Sequence, residues 1–252
     1  MTQRTGTQFV PETWSILDTA AARENLHTAI TIQQSLADKA PDVARYRLDL
    51  INSFNSLALL ESGQGDALAA EEAFKQAHFI YSRLVADYPN EFSYASGWAA
   101  LLNNAGLVLA RDARHENADE VYRKAESIQE PVAAIFPEAL PIKQTLSRIY
   151  FNHGQTLRAL ATWDEAIALA SKRRGLWNDN GDQLTRVAQE FLDIRSLAPA
   201  EFEGPLRTLV VETLHEALDA GYSPPSGLED DERFQLICDW PDSQTLKDRW
   251  TP

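Results

Sequence analysis

One interval governs this chain: residues of the same kind return every 48 positions. Pro41, Pro89 and Pro137 keep that spacing (89−41, 137−89), and so do Ala22, Ala70, Ala118 and Ala166. Leu26, Phe74 and Tyr122 hold the same register, followed by Ala29, Ala77 and Ala125 and by Ile32, Ile80 and Ile128. A fixed period of a few tens of residues marks a repeat array. One supersecondary unit cannot bury its apolar face alone, so neighbours stack to bury it.

Read in order, the chain gives a polar lead over residues 1–11 and a helical repeat domain over 12–220. A capping tail follows over 221–252. Within the repeat domain, 12–40 is one long helix, the second of a truncated unit. Unit one is 41–88, unit two 89–136, unit three 137–175, and a degenerate fourth pair fills 181–220. The helix from Val43 to Glu61 carries Tyr46, Leu50, Phe54, Leu57 and Ala58 at three- and four-residue spacings, the pattern of one buried stripe. Gly63 reads as its stop and Asp66 as the N-cap of the helix that follows. That second helix carries Ala70, Phe74, Ala77, Ile80, Tyr81 and Leu84 and ends at Tyr88-Pro89. Unit two repeats the plan around a turn at 111–117, and unit three around a turn near 161–164. Past Ala170 the pattern breaks at Lys172-Arg173-Arg174-Gly175, where no long helix is expected. The tail brings Trp240 and Trp250, which points to packing against the last hairpin. The second-helix register of Ala22, Leu26 and Ala29 implies a first helix that would precede Met1. The expectation is a piece of a longer ancestral array, or a cap improvised by residues 1–20.

Each unit sets a small residue, an Ala twelve positions on, an aromatic four after it and an Ala three after that. These are Ala58, Ala70, Phe74 and Ala77, then Gly106, Ala118, Tyr122 and Ala125. The third copy, Gly154 and Ala166, departs at Ala170 and Arg173. Small residues at facing positions let helices approach, and large ones fill the grooves between hairpins. The pattern resembles the tetratricopeptide repeat, whose period is about 34. Here the excess falls between Ala77 and Leu102, so both helices of a unit extend toward about 20 residues and roughly 30 Å. The fold expected is all-α, a solenoid of antiparallel helical hairpins. The long period, Leu84-Val85-Ala86-Asp87-Tyr88-Pro89, Leu102-Asn103-Asn104-Ala105-Gly106-Leu107 and the closing Ala217-Leu218-Asp219-Ala220-Gly221-Tyr222 look like the repeat regions that follow the kinase domain in many bacterial serine/threonine kinases. That resemblance implies a non-catalytic array. It is either a protein- or peptide-binding scaffold or the accessory, regulatory region of a kinase-type signalling protein whose catalytic domain is not in this chain.

In that family the first helices of successive units line a concave groove. By this resemblance Asn55, Ser56, Asn103, Asn104, Phe151 and Asn152 would face it, and asparagine amides can both donate to and accept from a peptide backbone. Some family members clamp carboxyl-terminal peptides with two Asn and several basic residues. Asn104 matches one such position and Arg148 another, as Arg in place of Lys. Asn55, Leu59 and Asn152 do not match, so a terminal carboxylate would find too little charge. The peptide-binding set is therefore Asn55, Asn103, Asn104, Arg148 and Asn152.

Other chemistries find little support. The formal net charge is −14, which repels nucleic acid and anionic membranes and leaves basic or neutral partners open. Cys238 is the one cysteine, which excludes an intrachain disulfide and a multi-cysteine zinc site. His27, His78, His115, His153 and His215 show no metal-ligand spacing, and His153 reads as packed rather than catalytic. Glu71-Glu72 and Asp230-Asp231 are adjacent pairs, which on a helix point apart. Neither the kinase signatures nor a Gly-x-Ser-x-Gly set is present. No cofactor and no catalytic residue is assigned. Lys172, Arg173 and Arg174 form the only basic cluster, a solvated helix end or else a phosphate site. With no bilayer-spanning run and no apolar leader over Met1 to Val10, the expected compartment is the cytoplasm.

Overall fold

A computed structural model describes residues 12–251, and the polar lead over 1–11 lies outside them. The described residues hold ten α-helices and no strand. These are α1 (Glu12–Lys39), α2 (Ala44–Gly63), α3 (Ala67–Asp87), α4 (Phe92–Arg111), α5 (His115–Ile135), α6 (Leu140–Ala159), α7 (Trp163–Leu176), α8 (Gly181–Leu197), α9 (Glu203–Asp219) and α10 (Gln244–Arg249). The helices α2 to α6 run 20 or 21 residues each, the length the sequence predicts. None of the described helices is long and apolar enough to cross a membrane. The chain divides inside α4 into two compact units, Met1–Val108 and Leu109–Pro252.

In the first unit α2 packs against both α1 and α3. The stripe of α2 supplies Leu50, Ile51, Leu57 and Ala58, and that of α3 supplies Ala73, Phe74, Ala77, Tyr81 and Leu84, all buried. Leu101 and Val108 of α4 close the same core, with Trp98 and Tyr94 half-buried against it. Ala58 and Ala77 are wholly enclosed, so the helix axes approach at the small residues while the aromatics fill the space beside them. Each fully buried Leu or Ile here contributes about 1.5–3 kcal/mol against exposure.

In the second unit each helix from α5 to α9 packs on the next. Leu146, Tyr150 and Leu157 of α6 meet Ala166 and Leu169 of α7. Val187, Phe191 and Ile194 of α8 meet Leu206, Val210 and Leu214 of α9. The tail folds onto that last pair. Leu228, Phe234, Ile237, Trp240, Leu246 and Trp250 all join the same core. The guanidinium groups of Arg195 and Arg207 both stack on Trp240, each 5.0 Å from its ring centroid. Gly181 permits the close approach of α8 to the end of α9: a Cβ there would sit 2.6 Å from the Ala217 carbonyl oxygen and 2.7 Å from Tyr222 Cβ.

The helix ends correct the sequence reading. Gly63 is the last helical residue of α2, and the stop is Gly65, whose φ is +81°. Asp66 N–H donates to the Glu61 carbonyl at 2.9 Å and Gly65 N–H to that of Ser62 at 3.1 Å, which satisfies carbonyls that the helix leaves free. Asp66 does cap α3, accepting from Ala69 N–H. The same closing bonds end α4 and α6 at Ala113 (φ +57°) and Ala161 (φ +58°), and α9 at Gly221 (φ +84°). The turn after α4 is shorter than expected, since α5 begins at His115. The helix also does not break at Lys172, because α7 runs on to Leu176.

Candidate functional site

The expected groove residues fall on helix faces that differ in exposure. In the first unit Asn55 of α2 and Asn104 of α4 are both half-buried. Asn104 Nδ2 donates to Asn55 Oδ1 at 3.1 Å. The bond uses one donor and one acceptor of the pair and leaves the Asn55 amide nitrogen and the Asn104 amide oxygen outside it. Asn103 behaves differently: it is 2% exposed and offers almost no surface to a ligand. A rotation of about 100° per residue separates neighbours on a helix, so two consecutive asparagines cannot share one face. In the second unit Arg148 is exposed and Asn152 half-buried, both on α6. The Phe151 ring lies under the Arg173 guanidinium at 5.0 Å.

The basic cluster at the end of α7 is solvated only in part, with Lys172 exposed, Arg174 half-buried and Arg173 buried, and each of the three has a carboxylate partner. Lys172 Nζ is 2.8 Å from Glu130 Oε1. Arg173 is 8% exposed and donates to Glu190 at 2.5 Å and to Ser147 Oγ at 3.0 Å. Arg174 meets Glu216 at 2.5 Å and Glu212 at 3.3 Å. Three carboxylate-paired cations have little left for a phosphate. The sequence missed this pairing, although a signal was present. Arg173 stands 48 after Ala125 and 96 after Ala77 (173−125, 173−77), a charge in a register position held by buried alanine in the two preceding units. Its partners lie on other helices, at a separation no local pattern reveals.

His153 is packed, as expected, and it is also polar-paired. Its Nε2 is 2.6 Å from Asp119 Oδ1 and its Nδ1 2.5 Å from Glu126 Oε1. Asp119 and Glu126 are two turns apart on α5, so one helix face brackets the ring from both ends. Tyr122, between them in sequence, stacks on the imidazole with centroids 5.5 Å apart. Beside this group, Tyr150 Oη and Lys172 Nζ both donate to Glu130 Oε1, and Trp177 Nε1 donates to the Ser147 Oγ that also receives Arg173.

The electrostatics follow from these contacts. Burial pushes the Asp119 carboxyl up, but hydrogen bonds from His153 and Arg123 outweigh it and hold the group below the usual carboxylate range. Glu130 is held low in the same way by Lys172 and Tyr150 against burial. Burial, reinforced by the Glu130 carboxylate, drives the Tyr150 hydroxyl well above its ordinary value, and burial alone does so for Tyr122. Glu190 goes the other way: its burial outweighs the Arg173 guanidinium and raises it. Asp119, Glu130 and Glu190 are thus each engaged with a polar or charged partner, while the buried Tyr122 hydroxyl has none. Among the described residues, no group of three His, Cys, Asp or Glu side chains could hold a metal ion. Glu71 and Glu72 take separate helical partners, Lys75 and Gln76.

No protein-family model matches the chain, and no curated protein matches it.

Proposed function

We propose that this chain is a binding scaffold for a protein or peptide partner, built as a tetratricopeptide-like solenoid of 48-residue units. Its recognition surface is the polar face of the first helices. The observation that carries this reading is the half-exposed amide pair, Asn104 Nδ2 to Asn55 Oδ1 at 3.1 Å. The bond fixes both side chains in place, so a peptide backbone laid across them finds one donor and one acceptor already oriented. Arg148 and Asn152 offer a face of similar chemistry on α6 in the second unit. The solenoid reading draws support from the left-handed residues Gly65, Ala113 and Ala161, which recur at the 48-residue interval (113−65, 161−113). A non-catalytic role is in keeping with acid–base groups that are spent on structural pairs.

The test is selection of 15-residue peptides from a displayed library against the full chain, followed by titration of Asn55→Ala/Asn104→Ala. Two net hydrogen bonds are worth about 0.5–1.5 kcal/mol each, so the double variant should bind selected peptides about tenfold more weakly. Its helical circular dichroism should be unchanged. Peptides that bind both proteins equally, or a library that yields no saturable binder, would overturn the reading.

A further inference from the structure

A second surface of the first unit, which does not involve the amide pair, carries a ligand chemistry of its own. Between α1 and α3, with α2 beneath, lies a cleft of about 590 Å³. Its floor is apolar, made by Leu50, which is 1% exposed, and by Ala37 and Ile80 at the sides. Phe79 stands at the rim 57% exposed, a large apolar side chain left in water.

The polar lining is fixed and unevenly satisfied. Arg47 Nη1 pairs with Asp87 at 2.6 Å, and its guanidinium lies 5.6 Å from the Tyr88 ring centroid. Tyr88 in turn holds the α1–α2 turn by donating to the Asp42 carbonyl at 3.3 Å. Yet Arg47 Nε is buried and has no partner. Of the remaining charges, Asp38 bonds only the Gln34 amide and Asp42 makes no ion pair among the described residues. Arg83 stacks on Phe79 at 5.7 Å. With Arg47 and Asp87 cancelling, two carboxylates face one cation, and the rim is net acidic.

We infer that this cleft docks a peptide segment of a partner in which one large apolar side chain is flanked by basic residues. The apolar side chain enters over Leu50 and Ile80 and stacks on Phe79. The basic neighbours pair with Asp38 and Asp42. An acidic segment is disfavoured, because the two aspartates repel it. The partner is basic where this chain is acidic, which favours encounter as well as fit.

The test uses the full chain and three fluorescein-labelled, end-blocked 12-residue peptides on a polyalanine–glutamine background. The first has a central Leu flanked by Lys, the second has Ala in place of that Leu, and the third has Glu in place of the Lys residues. Fluorescence anisotropy should show saturable binding of the first. Binding should be about tenfold weaker for the second, from the lost apolar burial, and absent for the third. Asp38→Asn/Asp42→Asn and, separately, the surface variant Phe79→Ser should each weaken the first peptide about three- to tenfold. Asn55→Ala/Asn104→Ala should leave it unchanged. Equal binding of the basic and acidic peptides, no saturable binding of the first, or binding insensitive to both cleft variants would overturn the inference. A loss confined to the Asn55/Asn104 variant would also overturn it, while leaving the amide-pair reading intact.

Discussion

Arg173 shows how one residue can leave the pattern of its own chain and reorganise what surrounds it. Where Ala77 and Ala125 are wholly buried small residues, Arg173 brings a charge inside and needs Glu190 and Ser147 to hold it. Removing one partner of a buried pair strands the other, at about 3–5 kcal/mol. Arg173→Ala should therefore lower the unfolding free energy by about that amount in urea titrations. Replacing both partners at once, Arg173→Met with Glu190→Leu, should cost far less. Ala113 and Ala161 are departures of the opposite kind. They hold the left-handed conformation that Gly65 and Gly221 adopt freely, and a Cβ there costs roughly 1–2 kcal/mol. Ala113→Gly and Ala161→Gly should each stabilise the chain by up to about 1 kcal/mol, less the added entropy of the unfolded glycine. Thermal unfolding followed by circular dichroism would show it. Arg173 was legible as an exception, but its partners were not. Nor were the two alanines, because sequence favours Gly at such turns and the closing bonds form whichever residue is there.

At the scale of the element, hydrogen bonds to carboxylates tie α5, α6 and α7 together. Asp119 and Glu130 titrate below the ordinary range in the folded chain, so their stabilisation is complete above about pH 5 and is lost as the pH falls through their lowered values. Glu190, raised by burial, opposes that trend on the acid side, since its protonated form is the better buried one. Tyr122 and Tyr150 are raised, so their contribution is complete below the ordinary tyrosine value of about 10 and falls as the pH rises beyond it. The lowered His215 brings a further loss as the pH falls below about 6.5, and the raised Cys238 one as it rises beyond about 9, so the unfolding midpoint should be highest between about pH 7 and 9. Tyr150→Phe should weaken the alkaline loss while lowering the maximum by about 1 kcal/mol for the missing bond to Glu130. The tail is the other element with a clear prediction. Six of its apolar residues belong to the core of α8 and α9. A chain stopped after Gly221 should lose several kcal/mol in the second unit and bind a hydrophobic dye. Helix periods and prolines made α1 to α6 and α9 readable. The tail was readable only as two tryptophans needing cover, because short 3-10 turns at Gln235–Asp239 and Pro241–Ser243 leave no period to find.

For the whole molecule, the sequence showed that the chain is helical and where its helices lie, since a stripe at three- and four-residue spacing has one physical solution. It placed Asn55 and Asn104 on the faces of α2 and α4 but could not separate Asn103 from Asn104, because exposure is decided by what packs alongside. The cleft between α1 and α3 was invisible for the same reason: Gln34, Arg47 and Asp87 share no local pattern. The tail's place in the core has a consequence for the order of events during synthesis. The first unit has all its described core residues once Val108 has been made. The second waits for Trp250, which is 2% exposed in the core of α8 and α9. Those positions are 142 residues apart (250−108), and translation at about 5–20 residues per second covers them in roughly 7–28 s. Over the last 53 of those residues (250−197), about 3–11 s at the same rate, α8 is complete while the face that the tail covers is still bare, so the nascent second half is the part of this chain that would engage a ribosome-bound chaperone.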